Sequence, residues 1–225
     1  MINHHPKNDI LTAFVSGQLP ASVSVVVASH VELCEHCQQQ VELITAQQAA
    51  SAFNSASDNA LIGEAPISKS EIDELDMIDM ITALEPDTAS VETAPVEVAV
   101  NNKLLTLPSA LRQVGLKEWQ GLGKLSRARF DLDDDEMRMS LLHIDKGGSV
   151  PTHTHKGFEV TLLLEGSFDD EMGHYSVGDF IWLDGEHTHQ PVTQEGCVCL
   201  TVSSDAIHFT QGVSQILNPI GRFIY

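Results

Sequence analysis

The chain has 225 residues, 42% of them hydrophobic and 5% aromatic, with 12 Lys+Arg against 32 Asp+Glu and a formal net charge of −20. Such a surface repels nucleic acid, whose binding needs a basic footprint, and no apolar run reaches the roughly 20 residues that cross a bilayer. A soluble globular protein of two small domains fits, its acidity either keeping it in solution or attracting a basic protein partner.

Met1 to Asp9 is polar and lacks the apolar segment of a signal peptide, so a cytoplasmic location with reduced thiols is expected. Asn8 or Asp9 is placed to cap a short helix through Val15, which Gly17 and Pro20 stop. Ala21 or Ser22 opens a long helical pattern to about Phe53. Its Val23–Val27 run suits a strand locally, but the surrounding Ala, Gln and Glu and the apolar returns at Val31, Val41 and Ile44 favour a buried helix. A further helix begins near Ser68–Ser70. Ile72, Leu75, Ile78, Ile81 and Leu84 form its apolar stripe, and Glu71, Asp73, Glu74, Asp76 and Asp79 surround that stripe with negative charge. Residues 85–101, rich in Pro, Ala, Thr and Glu without helical spacing, read as a linker.

Glycine then marks a change of class. Only Gly17 and Gly63 precede residue 102, and thirteen of the 15 follow it, as strand-and-turn structure requires. Met137–Ile144, Glu159–Leu164, Phe180–Leu183 and Val198–Ser203 read as short strands of a sandwich or barrel. The expectation is α+β with two domains: a helical metal-binding bundle over 1–84, a linker over 85–101 and an all-β barrel over 102–225.

Three residues of the long helix carry the first chemistry. Offsets of four and seven bring His30, Cys34 and Cys37 to one helical face. Two thiolates and an imidazole suit zinc, and a structural site takes a fourth ligand. His5, just before the first helix, is the choice, with adjacent His4 as the alternative. Cys-x-x-Cys also occurs as a redox pair, but the strand-to-helix setting of such pairs is absent. His30-x-x-x-Cys34-x-x-Cys37 with a histidine near the N-terminus resembles the zinc-containing anti-sigma domain, over about residues 1–84. That resemblance implies sequestration of an extracytoplasmic-function-type sigma factor, by covering its surfaces for core RNA polymerase.

The stretch Gly147–Gly166 reads GGSVPTHTHKGFEVTLLLEG. Its Gly147, His153-x-His155, Glu159 and Gly166 resemble the first motif of the cupins. His153 and His155, two apart on a strand, share one face, and Glu159 returns on the next strand after the Lys156-Gly157 turn. Imidazoles and a carboxylate suit Zn, Fe, Mn or Ni alike. Gly178 opens the second cupin motif and His189 falls where that motif places its ligand. Asp184 and Glu186 depart from its proline and glycine, and His187 is the alternative ligand. His143, His174 and His208 read as strand or loop histidines. Cys197 and Cys199 share one strand face and read as small buried hydrophobes rather than a redox pair.

Helical zinc motif first and cupin second, the whole chain resembles the ChrR-type anti-sigma factors. The resemblance implies zinc on His5, His30, Cys34 and Cys37, and a second zinc or another divalent transition metal on His153, His155, Glu159 and His189. It implies a transcriptional regulator rather than an enzyme, releasing its sigma factor in response to singlet oxygen or organic hydroperoxide through the cupin. Ile72, Leu75, Ile78 and Ile81 are the candidate apolar contacts to that partner; direct contact with nucleic acid or membrane is not expected. The rival is a metal-dependent cupin enzyme, a dioxygenase or isomerase, with a helical regulatory appendage.

Overall fold

The computed structural model describes residues 1–58, 77–85, 95–101, 103–205 and 207–210. Its architecture is α+β: helices come first and an antiparallel β-barrel follows. Helix α1 (Asn8–Val15) ends where Gly17 takes a left-handed φ of 65°. Helix α2 (Ala21–Leu33) starts immediately after Pro20 and buries Val23, Val26 and Val27 completely. The β-branched run is therefore helical, because burial of about 1.5–3 kcal/mol per side chain outweighs a few tenths of unfavourable propensity.

The long helix expected from Ala21 to Phe53 is two helices. At Cys34 the backbone is extended (φ −122°, ψ 101°), ending α2, and α3 (Glu35–Asp58) begins at the next residue. Residues 77–82 form a short helix. No helix among the described residues is long and apolar enough to cross a membrane.

The strands are β1 (Val96–Val100), β2 (Lys103–Leu107), β3 (Gly115–Leu116), β4 (Gln120–Leu122), β5 (Leu125–Asp131), β6 (Arg138–Ile144), β7 (His153–His155), β8 (Phe158–Asp170), β9 (Gly173–Ser176), β10 (Phe180–Asp184), β11 (Thr188–His189), β12 (Cys197–Ser203) and β13 (Ile207–Phe209), with a 3-10 turn at Ser109–Leu111. β1 lies within the stretch read as linker and pairs with β2. The main sheet runs β10-β8-β12-β6-β5-β3, with β4 on β5 and β9 on β8; β11-β7-β13 form a smaller sheet. All pairings are antiparallel.

All seven residues of β12 are buried, which requires cover on both faces. Cys199 and Thr201 face the barrel cavity. Val198, Leu200 and Val202 join Val160 and Leu162 of β8 in a cluster with Leu11, Val23, Val26 and Val27. The outer face of the sheet is thus roofed by α1 and α2. Met1–Ile44 and Pro95–Tyr225 accordingly form one compact unit; Thr45–Ala94 form another.

Candidate metal centres

The break at Cys34 shapes the first centre. An extended residue between two helices turns both thiols toward the α2 face that carries His30, and the segment before α1 brings in His5. The four donor atoms of His5, His30, Cys34 and Cys37 lie within 4.8 Å of one another. His30 Nε2 is 3.2 Å from Cys37 Sγ, and His5 Nδ1 is 3.4 Å from Cys34 Sγ and 3.5 Å from Cys37 Sγ. Zinc bonded at about 2.3 Å to sulfur and about 2.05 Å to nitrogen gives tetrahedral edges of about 3.5 Å, so the donor set fits that ion. His4 points elsewhere: its ring lies 4.7 Å from that of Tyr175 on β9, tilted by 52°.

Burial shapes the electrostatics. His30 is fully buried, which lowers its pKa to about 4, and its Nδ1 meets the carbonyl of Gly178 at 2.8 Å. With Nδ1–H donating to that oxygen, Nε2 keeps its lone pair for a ligand bond. Burial, and then His36, lowers His5. Burial, and then neighbouring Cys34, pushes the Cys37 thiol up to about 12. Two adjacent thiolates in such a place need a cation.

The second centre lies inside the barrel. β7 aims His153 and His155 inward, β8 supplies Glu159, and β11, paired with β7, supplies His189. Their donor atoms lie within 4.8 Å of one another. His155 Nε2 is 3.0 Å from Glu159 Oε2, and His189 Nε2 is 3.0 Å from His153 Nε2 and 3.4 Å from His155 Nε2. The far nitrogens are held too: His153 Nδ1 by the carbonyl of Pro151 at 2.7 Å, and His189 Nδ1 by Asp170 Oδ2 at 3.2 Å. His187 instead pairs with Asp184 at 2.7 Å, half exposed. Burial lowers His153 to about 4. Burial alone would raise Glu159, but the charge and hydrogen bond of His155 outweigh it and hold the carboxylate below its ordinary value. Three imidazoles and an ionised carboxylate suit a divalent transition metal.

Beside this centre is a partly open space of about 40 Å³, its apolar lining including Leu142, Val150, Phe168, Ile181 and Leu183, with the ligands at one side. Cys197 and Cys199 are buried in the same inner cluster. Of the expected partner contacts, Ile78 and Ile81 are 54% and 63% exposed, beside exposed Met77, Met80 and Leu84; Ile72 and Leu75 lie outside the described residues.

The structure brings His5, His30, Cys34 and Cys37 together in one group and His153, His155, Glu159 and His189 in another; the alternatives His4 and His187 stand outside both. The groups that orient them were not named: Asp170, the carbonyl of Pro151 and the carbonyl of Gly178. Gly178 stood out only as the opening of the second cupin motif, and nothing in the sequence ties it to His30.

Residues 114–206 match the family described as the ChrR Cupin-like domain. Over its whole length the chain resembles the anti-sigma-E factor ChrR of Cereibacter sphaeroides: 29% identity over 224 residues, covering 98% of this chain and 99% of that protein. The crystal structure of Rhodobacter sphaeroides SigE in complex with the anti-sigma ChrR superposes with a TM-score of 0.63 at 27% identity, over 90% of this chain and 99% of that one. The resemblance to ChrR-type anti-sigma factors thus extends from the two motifs to both parts of the chain.

Proposed function

We propose that this chain, similar from end to end to ChrR, is a cytoplasmic zinc-binding anti-sigma factor that sequesters an extracytoplasmic-function-type sigma factor. The observation that carries the reading is the conjunction of two complete donor sets in a chain aligned over 98% of its length with an anti-sigma protein. Zinc on His5, His30, Cys34 and Cys37 fastens the segment before α1 to the junction of α2 and α3, and so fixes the helices that meet the partner. Ile78 and Ile81, with Ile72 and Leu75, supply apolar contact, while the acidic surface steers a basic partner in.

The cupin centre serves sensing rather than turnover. It holds a second zinc or another divalent transition metal, and its signal is singlet oxygen or an organic hydroperoxide. The small, apolar space beside it admits a small neutral oxidant more readily than a polar metabolite. When bound, the metal supplies a Lewis-acidic contact there; His153, His155, Glu159 and His189 hold it, and the apolar wall keeps bulk water out.

The test is co-purification of the zinc-loaded full chain with each sigma factor of its own genome, beside a Cys34→Ala/Cys37→Ala variant. Tight binding by the wild type, lost in the variant, is the expected result. Failure of the zinc-loaded chain to bind any of them would overturn the proposal and bring the enzyme reading forward.

A further inference from the structure

One hairpin touches the surroundings of both centres. At its far turn, Gly178 accepts from His30 Nδ1 at 2.8 Å. The next residue, Asp179, is a fully buried carboxylate. Its Oδ1 accepts from the backbone N–H of Asn3 at 2.7 Å and of His4 at 2.9 Å. Its Oδ2 accepts from Ser176 N at 2.8 Å and Ser176 Oγ at 3.2 Å, and lies 3.5 Å from His4 Nδ1. Phe180 N–H then donates to the His4 carbonyl at 3.0 Å. Residues 178–180 therefore hold both His30 and the short segment that delivers His5. Gly178 has a φ of 91°, and the side chain of Ile2 occupies the space where a Cβ would stand. The close seat of the N-terminus depends on that glycine.

At the near turn, Asp170 meets His189 Nδ1 through Oδ2 at 3.2 Å, while its Oδ1 accepts from Met172 N at 2.8 Å and Gly173 N at 3.2 Å. Between the turns, the Tyr175 ring lies against His4 with centroids 4.7 Å apart, tilted by 52°. The route from one ligand to the other is continuous: His189, Asp170, the β9 backbone from Gly173 to Ser176, Asp179, then the backbone into His5.

We infer that β9 and its two turns are a shared outer shell of the two metal centres, so that metal in the cupin tightens the hold of the N-terminal centre on its own metal. This deepens the proposed function and rests on both centres holding metal. Asp179 is a positioning residue for His5 and His30, and Asp170 for His189. A metal bond at His189 Nε2 strengthens the Nδ1–H donation to Asp170, which fixes the turn that Asp170 organises and, through β9 and Ser176, the Asp179 carboxylate that seats His4. Loss of that metal loosens the seat without changing any N-terminal ligand. The N-terminal centre then opens more often, and its two thiols become reachable.

The experiment reads the thiols of the zinc-loaded full chain. Alkylation by iodoacetamide is followed at Cys34 and Cys37 by peptide mass mapping, with metal content measured on the same samples. His153→Ala removes a cupin ligand outside the hairpin. It is expected to raise the alkylation rate of Cys34 and Cys37 about fivefold or more, the usual scale of coupling between sites. Asp179→Ala alone is expected to raise it similarly, and adding His153→Ala to Asp179→Ala to add little, since both act along one route. Should Asp179→Ala not fold, Asp170→Asn serves in its place with the same expected insensitivity to His153→Ala.

Equal rates in the wild type and in His153→Ala, with two metals and one metal per chain respectively, would overturn the coupling. So would fully multiplicative effects in the double variant. A wild-type chain with no metal on Cys34 and Cys37, recognised by rates that a chelator does not change, overturns the underlying reading instead.

Discussion

At Cys34 the chain leaves helical geometry without a glycine or proline to signal it. The spacing of His30, Cys34 and Cys37 announced the donor set, because offsets of four and seven converge on a helix. They converge here through a one-residue break, which the helical pattern alone does not reveal. Long-range partners were less visible still: the Gly178 carbonyl that orients His30 is 148 residues away. The protonation of these residues leads to a measurable consequence. The Cys37 thiol, raised to about 12, is protonated at pH 7, whereas His30, lowered to about 4, is neutral. Zinc uptake therefore expels the Cys37 proton and none from His30. Affinity is expected to rise by at least about tenfold per pH unit between pH 6 and 8, since each thiol that binds as thiolate gives up its proton. Competition with a chelator of known affinity at each pH checks it, and a flat profile would contradict the thiol assignment.

Helix α2 shows how an element is finished by a distant residue. No side chain of its own N-cap serves it; Asp134, from the loop between β5 and β6, accepts from Ala21 N at 3.2 Å, Ser22 N at 2.8 Å and the Ser22 hydroxyl. The helix dipole adds to the attraction for that carboxylate. Asp134→Ala is expected to cost about 1 kcal/mol, measured by urea unfolding. Burial alone would raise Asp134, but the Ser22 hydrogen bonds outweigh it and the folded-state value is depressed. The stabilisation is therefore complete above the unfolded carboxylate value of about 3.9 and is lost as pH falls below it through the folded value. Wild type and variant should differ fully at about pH 6 and converge as the pH falls through the depressed folded-state value. The four strands named from the sequence, β6, β8, β10 and β12, were legible within a residue at their starts, because their apolar residues lay between glycines; β5 of the same sheet was not named. β1 was not legible, since its exposed face carries the Glu and Ala that read as linker, and the short β7 and β11 are defined by pairing across the chain, β7 lying between β11 and β13.

On the scale of the molecule, the sheet and the helices share one apolar layer. A chain beginning at Pro95 would bare Val160, Leu162, Val198, Leu200 and Val202 on a single face. It is expected to bind a hydrophobic dye and to self-associate in sedimentation, where the full chain does neither; a monomeric, dye-silent fragment would show that the roof is dispensable. The net charge of −20 belongs to the same scale. Association with a basic sigma factor is expected to slow by about tenfold or more between 50 and 500 mM salt in stopped flow, with dissociation changing less. That the helices lie on the barrel was not legible: β12 is buried on both faces, but its sequence CVCLTVS does not say what covers it. The clasp between His30 and Gly178 also sets an order of events during synthesis. At the usual pace of a ribosome, roughly 7 to 30 s separate the appearance of the two residues. For that interval the nascent chain carries His30, Cys34 and Cys37 at helices that have no floor beneath them, so this donor group is completed only after the β9–β10 turn has emerged.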